Sequence, residues 1–214
     1  INYKERKDKA NELVDIIRAK GNDCIAISAD VSDYDQVQNM FNIIFDRFGK
    51  VDILVNNAGI SVYGMLQDIT IEDWHNVYGT NVHGMFYCTK EAIPKMISQK
   101  YGKIINISSM WGSVGASCES LYASTKGAIN IFTKSIAKEL APSGITANVV
   151  APGVVLTDML SQLGEEALEV VREETPLGRH SQPEEIADVV EFLISEKGDF
   201  FTGQIISPNG GLVI

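Results

Sequence analysis

Short apolar runs alternate with longer amphipathic stretches along this chain. Four runs read as strands buried on both faces, at residues 24–28, 51–55, 103–108 and 145–150. Apolar residues at intervals of three and four predict helices over about residues 4–20, 33–48, 71–99 and 121–141. Glycines suited to left-handed C-caps follow these helices: Gly21, Gly49, Gly102 and Gly144. The alternation predicts an α/β fold in which helices flank a parallel sheet.

Small and polar residues follow the predicted strands. In open α/β sheets, ligands bind beyond the carboxyl ends of the strands, so these residues are expected to line one crevice. Small residues there let a ligand approach the backbone closely. The candidates are Asp30, Asn57, Ala58, Gly59, Ser109, Pro152 and Gly153.

A serine, a tyrosine and a lysine near this crevice suggest proton transfer. Tyr122 and Lys126 are four residues apart in a predicted helix, hence on one face, and Ser109 ends the preceding strand. A phenol has a pKa of about 10, and a neighbouring ammonium favours the phenolate. We therefore expect Lys126 to lower the pKa of Tyr122, while Ser109 holds a substrate oxygen.

Length, charge and cysteine usage narrow the classes of function. The 214 residues predict one domain over 1–214, and the net charge of −10 argues against a nucleic-acid partner. No apolar run has the length of about 20 residues that spans a bilayer, and no secretory signal opens the chain, which predicts a cytoplasmic protein without a membrane partner. Three scattered cysteines and three scattered histidines predict reduced thiols and no metal site.

Six motifs together resemble the short-chain dehydrogenase/reductase family over essentially the whole chain. They are NNAG (56–59), TNVHG (80–84), NISS (106–109), YASTK (122–126), APGVVLTDM (151–159) and TGQIISPNGG (202–211). Within the family, the chain is most similar to the bacterial 3-oxoacyl-(acyl-carrier-protein) reductases of fatty acid synthesis. The resemblance implies a Rossmann-like, doubly wound parallel sheet in three αβα layers, and NADPH-dependent reduction of a 3-oxoacyl thioester.

The resemblance also implies a catalytic tetrad. Tyr122 would protonate the carbonyl oxygen, and Ser109 would orient the carbonyl. Lys126 would hold the nicotinamide ribose, and Asn81 would fix a water that reconnects Lys126 to solvent. Asn81 could instead be a helix asparagine bonded only to backbone.

Further positions are implied to contact the cofactor. Asp30 resembles the residue that meets the adenine, and Pro152 opens a loop that would hold the carboxamide. The implied contacts are Asp30, Val31, Asn57, Ala58, Gly59, Tyr122, Lys126, Pro152, Gly153, Val155 and Thr157. Lys4 and Arg6, with no carboxylate at Asn2 or Tyr3, favour NADPH over NADH. The helices beginning near residues 71 and 121 resemble the family's interface, which implies a homotetramer.

The chain departs from the family pattern in two places. The family's first strand, glycine-rich loop and following helix have no counterpart, since residues 1–3 resemble the end of the second strand. We therefore expect a Thr-Gly-rich loop ahead of Ile1 in the natural chain. The reductases also carry basic residues at the cleft mouth to dock acyl carrier protein; Lys100 matches one position, but Ser143 occupies the other.

Besides another short-chain alcohol/ketone oxidoreductase, two alternatives remain open. The segments SSMWGSVGASCES and TGQIISPNGG also resemble a family branch that reduces a 5-aminopentanone modification on elongation factor P. Trp111 and Cys118 would then belong to a substrate wall, or they simply pack within the domain. A noncatalytic scaffold is the other alternative, against which the intact tetrad argues. Residues 156–180 are expected to form a lid over the substrate.

Overall fold

The computed structural model describes residues 1–162 and 164–214. Parallel strands in two groups form the middle layer. Strand β1 (Asn2–Tyr3) pairs with β2 (Ile27–Ser28), while β3 (Ile53–Asn56), β4 (Gly102–Ile107), β5 (Ile145–Val150) and β6 (Ile205–Ile206) pair in that order. All described pairings between these strands are parallel, so the α/β fold predicted from the sequence is confirmed.

Helices cover both faces of the sheet. Their bounds are α1 (Lys7–Ala19), α2 (Tyr34–Phe48), α3 (Ile71–Tyr78), α4 (Gly84–Gln99), α5 (Trp111–Val114), α6 (Ser120–Leu140), α7 (Glu165–Glu174) and α8 (Pro183–Ile194). The larger core cluster contains buried residues of α2, α4 and α6, and the smaller one joins β4 and β5 to Leu193 of α8. The two clusters give the three-layer arrangement.

Three details differ from the sequence predictions. The helix expected over 71–99 is interrupted by a π-helical turn at Gly79–His83. Strand β3 is not buried on both faces, because Ile53 and Val55 are 39% and 41% exposed. Gly102 begins β4, and the left-handed residue after α4 is Lys100, with φ 53°. The left-handed conformation expected at Gly21, Gly49 and Gly144 is confirmed.

A groove separates the two groups of strands. It has a volume of about 770 Å³ and is lined by residues of β1, β2 and β3 together with α2 and α4. Among the described residues, β1 pairs with β2 alone and β3 with β4 alone, so one edge of each faces the groove. The exposure of Ile53 and Val55 follows from this open edge.

Candidate active site

A cavity of about 1390 Å³ lies at the carboxyl ends of β3, β4 and β5. The loops that follow these strands contribute Asn57 to Gly59, Ser109, and Pro152 to Thr157 to its lining. Because parallel strands end at one edge of the sheet, motifs far apart in the chain meet here. The crevice expected from the sequence is therefore present.

Tyr122 and Lys126 reach the cavity from α6. Lys126 is 3% exposed, and its Nζ donates a hydrogen bond to the carbonyl oxygen of Ile107 at 2.9 Å. The same Nζ lies 5.3 Å from the centroid of the Tyr122 ring. The end of β4 thus holds the ammonium beside the phenol.

Ser109 stands opposite Tyr122. Its Oγ accepts a hydrogen bond from the backbone N–H of Trp111 at 3.2 Å, so the hydroxyl proton remains available to Tyr122 or a substrate. Gly112 fixes this geometry, since a Cβ there would lie 2.6 Å from the backbone carbon of Lys126. Glycine lets the serine-bearing segment pack directly on α6.

Asn81 lies in the π-helical turn and is 1% exposed. Its amide nitrogen donates to the carbonyl oxygen of Ile60 at 2.9 Å and to the hydroxyl of Thr125 at 3.0 Å. Its Oδ1 accepts from the N–H of Ile60 at 2.8 Å. Asn81 therefore ties the loop after β3 to α6, next to Lys126.

Burial shifts the pKa values of both Tyr122 and Lys126. It raises the pKa of Tyr122 to about 12; the charge of Glu119 adds to the rise and a hydrogen bond from Ser109 opposes it. Burial also lowers the pKa of Lys126 to about 8. The pKa of Tyr122 is therefore raised overall, because removal from water outweighs the interactions that lower it.

The chain was compared with models of known protein families. A family model described as Enoyl-(Acyl carrier protein) reductase matches residues 1–213. The chain belongs to the short-chain dehydrogenase/reductase family.

Related members of the family are known by sequence and by structure. The 3-oxoacyl-[acyl-carrier-protein] reductase FabG of Staphylococcus aureus (strain Mu50) is 43% identical over 212 residues, covering 99% of this chain and 86% of the relative. The 3-oxoacyl-[acyl-carrier-protein] reductase of Synechocystis is 39% identical over 215 residues, covering 100% of this chain and 86% of the relative. A mutant short-chain dehydrogenase/reductase of Serratia marcescens superposes with a TM-score of 0.92 at 32% identity, covering 99% of this chain and 85% of that one.

This short-chain dehydrogenase/reductase is therefore an oxidoreductase acting on a carbonyl or hydroxyl group with a nicotinamide cofactor. The cavity suits the nicotinamide end of the cofactor. A Cβ built on Gly59 would lie 3.5 Å from both Lys126 Nζ and Asn81 Oδ1, which places the loop after β3 directly beside the ammonium. Within the described residues, no group of three or more His, Cys, Asp or Glu side chains could hold a metal ion.

The cavity contains most, but not all, of the expected cofactor contacts. Its lining includes Asn57, Ala58, Gly59, Pro152, Gly153, Val155 and Thr157. Asp30 lies outside this lining, where its carboxylate pairs with Lys4 Nζ at 2.8 Å. Val31 also lies outside and is 9% exposed, in the core against Gly84. The structure does not bring these two residues to the catalytic cavity.

The two positions compared with carrier-protein contacts of the family, Lys100 and Ser143, also lie outside the cavity lining. Lys100 and Ser143 are neighbours, since a Cβ on Gly144 would lie 2.6 Å from the carbonyl oxygen of Lys100. Both precede the amino ends of β4 and β5, whereas the cavity lies at the carboxyl ends. The structure therefore places Lys100 away from the mouth of this chain's own cavity.

Several cavity residues were not identified as such from the sequence. Arg6 lines the cavity and pairs with Asp158 at 2.5 Å. Tyr63 and Glu119 also line it, as does Trp111, for which the sequence left open a substrate wall or packing within the domain. The signal for Glu119 was its position three residues before Tyr122, at the residue that immediately precedes α6. Cys118 is outside the lining, and its thiol contacts Met65 Sδ at 3.5 Å.

Proposed function

We propose that this protein reduces a 3-oxoacyl thioester on acyl carrier protein to the 3-hydroxyacyl form, with NADPH, in fatty acid synthesis. The convergence of Ser109, Tyr122 and Lys126 in one cavity carries the proposal. The names of the relatives supply the substrate class. Carbonyl reduction needs one proton donor at the oxygen, and a buried phenol beside a serine hydroxyl can provide it.

The raised pKa of Tyr122 suits the direction of reduction. With a pKa of about 12, the phenol keeps its proton at neutral pH and can donate it to the carbonyl oxygen. Ser109 donates a hydrogen bond to the same oxygen and orients the carbonyl. When bound, the reduced nicotinamide supplies the hydride. Lys126 holds the ribose hydroxyls, and Asn81 fixes a water that returns protons to Lys126.

The preference for NADPH rests on charges after β1. Lys4 and Arg6 follow this strand, and Arg6 reaches the cavity. Positive side chains there favour the extra phosphate of NADPH, and no carboxylate at Asn2 or Tyr3 is present to bind a ribose hydroxyl. Asp30 and Val31, at the end of β2, serve the adenine end of the cofactor.

The groove between β1 and β3 is the proposed place of the phosphate-binding unit. Its open strand edges can accept a further parallel strand, because unpaired backbone groups gain hydrogen bonds from one. We propose that a strand followed by a glycine-rich loop fills it in the working enzyme. The described residues then belong to one Rossmann-like domain with this strand at its centre.

A homotetramer is the proposed assembly. Apolar side chains are exposed on α3, α4 and α6, including Ile71 at 74%, Phe86 at 43% and Ile131 at 63%. A contact through these helices would cover them. Because Lys100 lies at the far edge of its own sheet, it could guide acyl carrier protein only to a cavity of a neighbouring subunit.

The second candidate is reduction of the 5-aminopentanone modification on elongation factor P. Trp111 in the cavity wall favours this candidate, and so does Ser143 where the carrier-protein reductases have a cation. This substrate is also a ketone, so Tyr122 and Ser109 would keep the roles given above.

NADPH oxidation with different substrates tests the proposal. We expect turnover of a short 3-oxoacyl thioester, slower turnover with NADH, and little with the modified elongation factor P or without substrate. Tyr122→Phe should lower turnover by about 100-fold or more, since only the transferable proton is lost. Tyr101→Phe, at a tyrosine 42% exposed and outside the cavity, is the matched control. Normal turnover by Tyr122→Phe would exclude Tyr122 as the acid, and no turnover of any substrate would favour a scaffold.

A further inference from the structure

Tyr122 lies in the first turn of α6, and this end of the helix has no side-chain cap. The side chain of Glu119, which immediately precedes α6, makes no capping hydrogen bond. The first backbone N–H groups of a helix have no partner within it, so an uncapped first turn frays readily. A proton donor in this turn therefore needs contacts from other segments to keep its position.

Thr125 makes one such contact. It is 0% exposed. Its hydroxyl donates a hydrogen bond to the carbonyl oxygen of Tyr122 at 2.7 Å and accepts one from the amide nitrogen of Asn81 at 3.0 Å. Because Asn81 belongs to the π-helical turn Gly79–His83, the two bonds tie the backbone of Tyr122 to this turn.

Ser124 makes a second, parallel contact. Its hydroxyl donates to the carbonyl oxygen of Leu121 at 2.7 Å and lies 3.2 Å from the hydroxyl of Tyr78, which donates to it. Tyr78 ends α3, directly before the π-helical turn. Two neighbouring hydroxyls of α6 therefore join its first turn to the segment 78–81.

The segment 78–81 can serve as an anchor because Asn81 is itself fixed. Asn81 is 1% exposed and exchanges hydrogen bonds with both the N–H and the carbonyl oxygen of Ile60. The loop after β3, the π-helical turn and the first turn of α6 thus form one hydrogen-bonded unit.

We propose that Thr125 is a positioning residue for Tyr122, which holds the first turn of α6 so that the phenol keeps its distance and direction to the substrate oxygen. The inference rests on the proposed role of Tyr122 as the acid. A displacement of about 1 Å at a reacting group can lower the rate by about 100-fold, so loosening this turn should lower kcat. Lys126 is held separately by the carbonyl oxygen of Ile107, so cofactor binding should change little.

Thr133 offers a matched control on the same helix. It is also 0% exposed, and its hydroxyl donates to the carbonyl oxygen of Ile129 at 2.7 Å and accepts from the amide nitrogen of Asn106 at 2.8 Å. Thr133 does not line the catalytic cavity. Thr133→Val therefore removes the same two kinds of bond from a buried position and leaves the first turn of α6 intact.

Turnover and cofactor affinity of these variants test the proposal. We expect Thr125→Val to lower kcat for a short 3-oxoacyl thioester by about tenfold or more, with the dissociation constant for NADPH changed by less than about threefold. Thr125→Ser keeps the hydroxyl and should retain most of the turnover. Thr133→Val should lose thermal stability to a similar extent but keep its kcat. An unchanged kcat in Thr125→Val, or an equal loss of kcat in Thr133→Val, overturns the positioning role.

A second variant decides the question if Thr125→Val does not fold. Tyr78→Phe removes the hydroxyl that bonds with Ser124 and keeps the aromatic ring, which stacks on Trp74 with the ring centroids 4.6 Å apart. A kcat lowered by about threefold or more, with unchanged NADPH affinity, supports the proposal. An unchanged kcat overturns it.

An NMR measurement separates this inference from the proposed function. If the unaltered protein reduces no thioester, the proposed function fails, and the position of Tyr122 is then followed through its Cζ signal in protein with isotopically labelled tyrosine. Tyr122→Phe assigns this signal. A shift of the signal in Thr125→Val that is absent in Thr133→Val supports the positioning role, and a signal that does not move in Thr125→Val overturns it.

Discussion

Lys126 is a buried lysine, and burial is what sets its protonation state. It is 3% exposed, and burial lowers its pKa to about 8. A lysine is charged below its pKa and neutral above it, so in the free protein the ammonium loses its charge as the pH rises through about 8. The proposed grip on the cofactor ribose should weaken over the same range.

Lys126→Ala tests this residue. We expect turnover to fall by about 100-fold and cofactor affinity to fall as well, because one side chain serves both tasks. In the unaltered protein, kcat/KM for NADPH should decline above about pH 8, and this decline should be absent in Lys126→Ala. Lys134→Ala, at an exposed position on the same helix, is the control. Unchanged cofactor affinity in Lys126→Ala would show that the ribose contact is wrongly assigned.

Two elements shape the cavity beyond single residues. The π-helical turn Gly79–His83 widens the backbone between α3 and α4, and Asn81 within it bonds with the loop after β3. The segment 156–180 borders the cavity through Leu156 to Leu160, and it contains α7. Leu163, which falls within the expected lid, lies outside the described residues.

Hydrogen exchange tests the lid. The segment contacts the first part of the chain through the exposed ion pair of Arg6 with Asp158, and an exposed pair stabilises a contact only weakly. We expect amides of 156–180 to exchange at least about 100-fold faster than those of β5, and to become protected when NADPH and a substrate analogue are added. The amides of β4 serve as the internal control. Protection equal to that of β5 in both states would argue against a lid.

The surface of the whole molecule carries the exposed apolar side chains of α3, α4 and α6. Ile131, at the middle of α6, is 63% exposed. No helix among residues 1–162 and 164–214 is long and apolar enough to cross a membrane. Contact between copies of the chain would remove these side chains from water.

A charge at Ile131 tests the assembly. We expect the unaltered protein to sediment as a tetramer and Ile131→Glu to shift it to smaller species, because a buried unpaired carboxylate is strongly unfavourable. Leu13→Glu makes the same change on α1, where Leu13 is 44% exposed, and should leave the mass unchanged. A monomeric mass for the unaltered protein would contradict the tetramer.

The fold class and the principal site residues could be predicted because they depend on local pattern. The run at 145–150 matches β5 residue for residue, since continuous apolar residues suit a strand buried on both faces. The helix that carries Tyr122 and Lys126 was predicted to within about one residue. Their shared face follows from the helical repeat alone.

The remaining features depend on contacts between distant segments. The amino-acid sequence determined the βα alternation, the strand-end motifs and the placement of Tyr122 and Lys126 on one face, because each of these follows from the periodicity of a single element. Only the tertiary structure decided the pKa values of that pair, the place of Lys100 away from the cavity, and the contacts of Asn81 with Ile60 and Thr125. These properties depend on desolvation and on neighbours from other strands and loops, which no local spacing specifies.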